Sequence, residues 1–244
     1  MDMKSYSPEI KKQIENMKSG AVITANSFPT SWPRNAVTRT LSRLNEDGLI
    51  TRVKKGVYSK IKKTRFGNVS ATSIEIIANE VKNDDNKCFG GLFLYNNLGL
   101  TTQVPKVIEI LNNKSSYVQD LNAIKIRYVK IRPRIEKSTK SYIILLEVFK
   151  NLGDIPDSNI GHIFKWINKK IDELEEKELK KLYKISLDYP PRVRAMLGCL
   201  LSIREKILSE KIRKTLNVNS SYRVGSIVNY LKNVDLWRLK NEVA

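Results

Sequence analysis

Arg34, Asn35, Thr38 and Arg39 lie within a turn and a half of one another if their segment is helical, a spacing suited to reading the edges of base pairs. An Arg guanidinium matches O6/N7 of guanine and an Asn amide matches N6/N7 of adenine, each good bidentate pair contributing roughly 1–3 kcal/mol of discrimination. Ser42 and Arg43 extend the same cationic, hydroxyl-bearing side, and Ser31 stands just ahead of it. Further on, Lys54 and Lys55 precede Gly56 in a turn suited to straddling phosphates. The competing reading is a small helix-hairpin interaction module whose positive face only keeps it in solution.

Such residues need a helix and a hairpin to hold them, and the stretch from Thr30 to Tyr58 has the signals for both. Ser31 predicts an N-cap, Pro33 a first turn without an N–H, and Gly48 a left-handed stop. At about 100° per residue, Val37, Leu41 and Leu44 form one narrow stripe flanked by Ala36 and Thr40, predicted to face a core. Asn35, Arg39, Ser42 and Glu46 then point the other way, with Arg34, Thr38 and Arg43 at the borders. Leu49–Val53 reads as a strand, Lys54-Lys55-Gly56 as a turn and Val57-Tyr58 as the returning strand. This is the outline of a winged helix-turn-helix, whose second helix enters the major groove. Upstream, Ser7–Lys18 predicts a supporting helix through Ile10, Ile14 and Met17. Ala21–Thr24 predicts a short strand, Asn26–Pro29 a brief helix or turn, and Phe28 and Trp32 core aromatics.

Composition favours a polyanionic partner. The 244 residues carry 44 Lys+Arg against 25 Asp+Glu, a formal charge of +19, and 41% are hydrophobic, enough for a real core and two domains. Nucleic acid is the first choice of partner and an anionic membrane surface the second, although lysine richness also follows from an AT-rich genome. Residues 1–65 hold 14 Lys+Arg and 5 Asp+Glu, so charge density peaks around the suspected reader. Cys88 and Cys199, far apart and each beside apolar residues, suit reduced buried thiols. With no signal-like N-terminal segment and no apolar run approaching ~20 residues, the expected location is cytoplasmic, without a membrane partner.

Ser59–Arg65, basic and poor in apolar residues, predicts a linker, giving domains over residues 1–63 and 64–244. In the second domain a helix is expected within Asn68–Asn83, using Ile74, Ile77, Ala78 and Val81, and another after Gly90-Gly91. Val107–Leu111 and Ala123–Ile131 read as strands. In the latter, Ile124, Ile126 and Tyr128 alternate with Lys125 and Arg127. Lys125, Arg127, Lys130 and Arg132, with Arg134, form a second positive concentration, either a charge-protected edge strand or a surface facing a toxin or RNA. From about residue 139 the chain reads as helical: Ser141–Leu152, Asp157–Asn168, Glu173–Ile185, one long helix after Pro190-Pro191 running through Leu208, and a last one near Ile227–Leu231 with Trp237 as anchor. The fold class expected is α+β, a winged helix-turn-helix followed by a mixed α/β domain with a small sheet and a helical C-terminal part.

Catalytic groupings are thin. His162, the single histidine, sits among Ile160, Ile163 and Phe164 and reads as a structural imidazole. Asp84-Asp85 and Asp172–Glu178 lack partner ligands at metal-site spacing, and nothing marks a lowered Cys88 pKa. No enzyme, metal or cofactor is expected.

Three phrases carry a family resemblance: GLFLYNNLGLTTQVPK (residues 91–106), PPRVRAMLGCLLS (190–202) followed by IRKTLNVNSSYRVG, and LSRLNEDGLITRVKKGVY (41–58). They are similar to the AbiEi-like antitoxins of type IV toxin–antitoxin systems, found in phage-defence operons, and the resemblance spans nearly the whole chain. It implies a repressor of its own operon that binds inverted repeats in promoter DNA, and a C-terminal domain that counteracts a co-encoded nucleotidyltransferase-like toxin without a stable complex. Matching positions carry the reader role over to Arg34, Asn35, Thr38, Arg39 and Lys54-Lys55-Gly56, while the antitoxic residues cannot be placed this way. The alternatives are a winged-helix regulator without antitoxin activity, and an enzyme modifying the toxin or its substrate.

Overall fold

The computed structural model describes residues 6–64, 67–69, 73–121 and 124–241. It is a mixed α+β protein of two compact units, Met1–Glu80 and Val81–Ala244. The first unit therefore runs past the boundary expected after residue 63.

In the first unit, α1 (Ser7–Asn16) leads through β1 (Val22–Thr24) and a 3-10 turn (Ala25–Ser27) to α2 (Arg34–Glu46), then to the hairpin of β2 (Ile50–Lys54) and β3 (Val57–Lys60). The sheet order is β1-β3-β2, antiparallel throughout, with Ile23 and Arg52 flanking Tyr58 in register. The predicted stripe is buried as expected: Val37, Thr40, Leu41 and Leu44 all turn inward. They close a core with Ile10, Ile14, Ile23, Phe28, Ile50 and Tyr58, and Trp32 stacks at 6.2 Å on Phe28. Gly48 and Gly56 take φ of +69° and +76°, the left-handed turns needed to end α2 and to close the hairpin. The start of α2 differs from expectation. Pro33 is the residue at its N-cap, no side chain caps it, and Ser31 lies exposed two residues upstream of the cap.

The expected linker is structured. Ser59 and Lys60 finish β3, and β4 (Lys62–Thr64) pairs with β5 (Gly67–Val69); Arg65, the last residue of that stretch, lies outside the described residues. Lys60 also reaches back, its Nζ donating to Glu15 O (2.6 Å) and Met17 O (2.7 Å), so a cation satisfies the carbonyls that end α1. Next, α3 (Ser73–Asn83) buries Ile77 and Val81 as expected and half-buries Ala78, but Ile76 is buried in place of Ile74, which is 47% exposed.

The second unit holds a four-stranded sheet, β6 (Lys87–Gly90), β7 (Val107–Asn112), β8 (Tyr117–Leu121) and β9 (Ile124–Lys130), in the order β6-β7-β9-β8. The short helix α4 (Gly91–Asn97) follows β6 directly. The periodicity did not reveal β6 or β8, and it located β9 but left it open as an edge strand. That strand is not an edge: it runs parallel to β7 on one side and antiparallel to β8 on the other. Ala123, the first residue of the expected strand, lies outside the described residues.

Helices α5 (Lys140–Lys150), α6 (Ile160–Asp172), α7 (Glu176–Ser186), α8 (Pro191–Leu201) and α9 (Lys206–Arg213) build the largest core, centred on Leu146, Ile163, Ile167, Leu182, Val193, Leu197 and Leu201. The single long helix expected after Pro190-Pro191 is broken into α8 and α9. Ser202 Oγ donates back to Cys199 O (2.6 Å), Arg204 is tied to Asp172 Oδ1 and Asn168 Oδ1 (both 2.7 Å), and Glu205 leaves the helical region at φ −138°, ψ 80°. A 3-10 turn (Gly225–Tyr230) and the parallel pair β10 (Tyr222–Arg223) and β11 (Leu239–Lys240) close the unit. No helix among the described residues is long and apolar enough to cross a membrane.

Trp237, 2% exposed, seats against α8 where Gly198 leaves room. A Cβ there would lie 2.2 Å from Cζ3 and 2.3 Å from Cη2 of the indole. Gly198→Ala should therefore cost roughly 1–3 kcal/mol through overpacking and lower the midpoint of thermal unfolding by several degrees. A melting curve superposable on that of the wild type would show that the indole is free to move.

Candidate nucleic-acid interface

The core stripe of α2 decides which of its side chains remain available. Asn35, Thr38 and Arg39 are exposed along the first half of the helix. The Thr38 hydroxyl donates to Arg34 O at 2.9 Å, leaving its lone pairs outward. Arg34 is otherwise employed: half-buried, its guanidinium donates to the carbonyl of Ala25 and stitches α2 to the preceding turn. Arg43 donates to Ser7 Oγ at the start of α1, and Ser42 Oγ lies 3.2 Å from the Tyr58 hydroxyl, joining α2 to β3.

The hairpin shows the same division. Lys54 does not project with Lys55: its Nζ makes an ion pair with Glu80 at 2.9 Å, both side chains about three-quarters buried. Lys55 stands exposed at the turn. Arg52, which sequence reasoning passed over, is exposed on β2 with its backbone N–H fixed by Asn45 Oδ1 (2.6 Å). Strand alternation puts it on the same side as the buried Ile50, so its charge, two residues ahead of Lys54, was the signal that could have found it. The exposed set is thus Ser31, Asn35, Thr38 and Arg39 on the helix side, with Arg52 and Lys55 on the hairpin. No ion pair engages Arg39, Arg52 or Lys55 among the described residues.

The second basic concentration is divided by the pleat of β9. Lys125 and Arg127 share one face, where Arg127 comes within 4.0 Å of Glu109 on β7. Lys130 falls on the other and, with Arg132 and Arg134, lines a cleft of about 550 Å³ closed by Asn113 and Ile131. Lys125, Arg127, Lys130 and Arg132 do not form one continuous surface.

Groups considered for chemistry are placed as follows. His162 is exposed in the first turn of α6 instead of packed inward; its backbone N–H donates to Asn159 Oδ1 at 3.0 Å. Both thiols are free and buried, and burial pushes each up to about 12, so neither is a thiolate at neutral pH. Among the described residues no three His, Cys, Asp or Glu side chains converge as a metal site.

DUF6088, described as a family of unknown function, matches residues 9–164. The chain belongs to this family. The match takes in α2, the hairpin and β9, so both basic regions are within it. No curated protein matches the chain. Among solved structures, the RV2827C protein from Mycobacterium tuberculosis is similar with a TM-score of 0.48, over 88% of this chain and 83% of that one, at 12% identity.

Glu109 offers a measurable consequence of the charge arrangement on β7. Burial raises its carboxyl above the ordinary 4.5, Arg127 opposing the rise and the Glu147 carboxylate adding to it. A folded-state pKa above the unfolded one means that the fold holds the proton more tightly. The contribution is fully present below about pH 4.5 and is lost as the pH climbs through the folded value. Denaturant unfolding of Glu109→Gln between about pH 4 and about pH 8 should accordingly show a smaller loss of stability than the wild type. Parallel profiles for the two proteins would contradict this assignment.

Proposed function

We propose that the first unit is a winged helix-turn-helix that binds duplex DNA, α2 entering the major groove and the β2–β3 hairpin lying along the backbone. The observation that carries this reading is the coincidence, on one small core, of an outward α2 face bearing Asn35, Thr38 and Arg39 with a neighbouring hairpin bearing Arg52 and Lys55, the three cations making no ion pair among the described residues, in a chain of charge +19. A helix fits the major groove, where its N-terminal residues reach base edges, and lysines beside it meet phosphates. Asn35 and Arg39 read bases, Ser31 and Thr38 assist at the groove edge, and Arg52 and Lys55 hold the backbone. Arg34, Ser42 and Arg43 hold the reader in place, and Lys54 steadies the hairpin through Glu80.

The resemblance in residues 41–58, 91–106 and 190–202 extends the proposal. The protein represses its own operon by binding inverted repeats in its promoter, one copy per half-site. Its second unit counteracts a co-encoded nucleotidyltransferase-like toxin without a stable complex, in the cytoplasm, where Cys88 and Cys199 stay reduced. The competing assignments are a winged-helix regulator with no antitoxin role and an enzyme that modifies the toxin or its substrate. A mass change in toxin incubated with the purified protein would favour the enzyme.

Gel-shift titration on the DNA upstream of its own gene tests the reading. Affinity should fall steeply with salt, since each neutralised phosphate releases condensed counterions. Arg39→Ala should cost about 1–3 kcal/mol on the operator and little on random duplex, whereas Lys55→Ala should weaken both equally. Arg34→Ala should lower the melting temperature and leave base preference intact. Equal losses on operator and random DNA from Arg39→Ala would remove its reading role.

A second surface is favoured by the cleft that Lys130, Arg132 and Arg134 line. It meets the toxin or the RNA that the toxin modifies. Co-expression with the toxin should show growth rescue by the wild type and at least a tenfold loss of colonies for Lys130→Glu/Arg132→Glu/Arg134→Glu. Undiminished rescue, with the variant protein present at wild-type level, would dismiss the assignment.

A further inference from the structure

Two of the buried polar atoms that lack a hydrogen-bond partner among the described residues belong to one cleft. Nε1 of Trp237 donates to nothing and the hydroxyl of Tyr222 has no partner, while both residues form the floor of a cavity of about 430 Å³ near the end of α9. Other buried tyrosines of this unit are satisfied, Tyr95 donating to Glu147 O and Tyr189 to Ile143 O. An unpaired buried donor costs roughly 1–3 kcal/mol, so two at one place call for an explanation. The indole presses its Cζ3/Cη2 edge on Gly198, so Nε1, at the other end of the ring system, lies away from that contact, and Trp237 lines the cleft. Arg238, beside it, adopts φ of +52°, the left-handed region that non-glycine residues enter at a cost.

The rim has a definite chemistry. It carries three cations, Arg213, Lys214 and Arg238, and one carboxylate, Asp235. Arg238 is partly occupied, donating to Asn217 O at 3.2 Å; Arg213 and Lys214 are exposed and make no ion pair among the described residues. Val218 (69% exposed) and Leu236 (53% exposed) form apolar walls open to water. Nε1 and the Tyr222 hydroxyl are themselves closed to water, so Val218 and Leu236 must part for a ligand to reach them.

We propose that this cleft binds a small amphipathic organic anion, its phosphate or carboxylate head accepting hydrogen bonds from Trp237 Nε1 and Tyr222 and facing Arg213 and Lys214, its apolar body lying against Val218 and Leu236. The volume falls within the ~300–1,000 Å³ of small-ligand sites. The site is independent of the DNA-binding reading and lies outside the segment that matches the family.

Titration of the full-length protein with 8-anilinonaphthalene-1-sulfonate, an aromatic body with an anionic head, tests it. Saturable one-to-one binding is expected, with the uncharged N-phenyl-1-naphthylamine at least tenfold weaker. Trp237→Phe and Tyr222→Phe, which keep the rings and remove the donors, should each weaken the dye about tenfold or more, as befits a hydrogen bond to a charged group. Displacement by phenyl phosphate assigns a phosphate head and displacement by benzoate a carboxylate. Displacement by neither at millimolar concentration, equal binding of the neutral dye, or wild-type affinity in the two variants would overturn the proposal. Should the floor variants fail to fold, the exposed pair Arg213→Gln/Lys214→Gln decides: weakened dye binding supports the site, and unchanged affinity overturns it.

Discussion

Val37, Leu41 and Leu44, sealed in one core with Ile10, Ile23, Ile50 and Tyr58, lock the rotation of α2 about its own axis. Burying side chains of this size is worth roughly 1.5–3 kcal/mol each. Turning the helix by one residue would lift them into water and press Asn35 or Arg39 into an apolar interior, at a further cost for the unpaired polar group. The outward direction of Asn35, Thr38 and Arg39 is therefore a by-product of core packing. The hairpin is held by that same core, since Ile50 and Tyr58 come from its two strands and Tyr58 also meets Ser42 of α2. Helix and hairpin form one rigid surface because a single set of apolar contacts fixes both.

What was legible in the sequence is what depends on short-range periodicity. The α2 stripe, the alternation of Ile126 and Tyr128 with Lys125 and Arg127, and the buried Trp237 all follow from local spacing. Less legible was anything requiring a partner distant in the chain. Arg34 meets Ala25, Arg43 meets Ser7 and Lys54 meets Glu80, and no window centred on the helix or hairpin contains those pairings. Strand order was hidden for the same reason. The pattern of β9 fits an edge or an interior strand, and only the unpredicted β8, with Tyr117 stacked at 4.3 Å on Tyr128, shows that it is interior. The break between α8 and α9 was equally invisible, because Arg204 is held by Asp172 and Asn168 on another helix.

The second unit accommodates polar groups in its core at a few defined places. Glu147 is 2% exposed on the apolar helix α5, yet Lys150 and Asn151 from the following turn reach its carboxylate at 3.2 and 3.3 Å. The Tyr95 and Tyr189 hydroxyls are pushed upward by burial and by this nearby negative charge, so both remain neutral donors. Unlike these two hydroxyls, Nε1 of Trp237 and the hydroxyl of Tyr222 have no partner among the described residues. The distinction rests on pairing, since all four rings are buried.

The same distinction separates two uses of arginine on α2. A guanidinium at the groove gains roughly 1–3 kcal/mol by meeting a guanine, but Arg34 could do so only by abandoning the Ala25 carbonyl, and leaving that acceptor unpaired in a half-buried position costs a similar amount. The exchange yields nothing, and it would loosen the turn that sets the start of α2. Arg39 faces no such exchange. Its side chain is exposed and makes no ion pair among the described residues, so on the DNA-binding proposal a base edge or phosphate would displace no contact that the fold needs. Arginine count alone overstates the reading capacity of a basic helix; the usable number is what remains after the fold has taken its share.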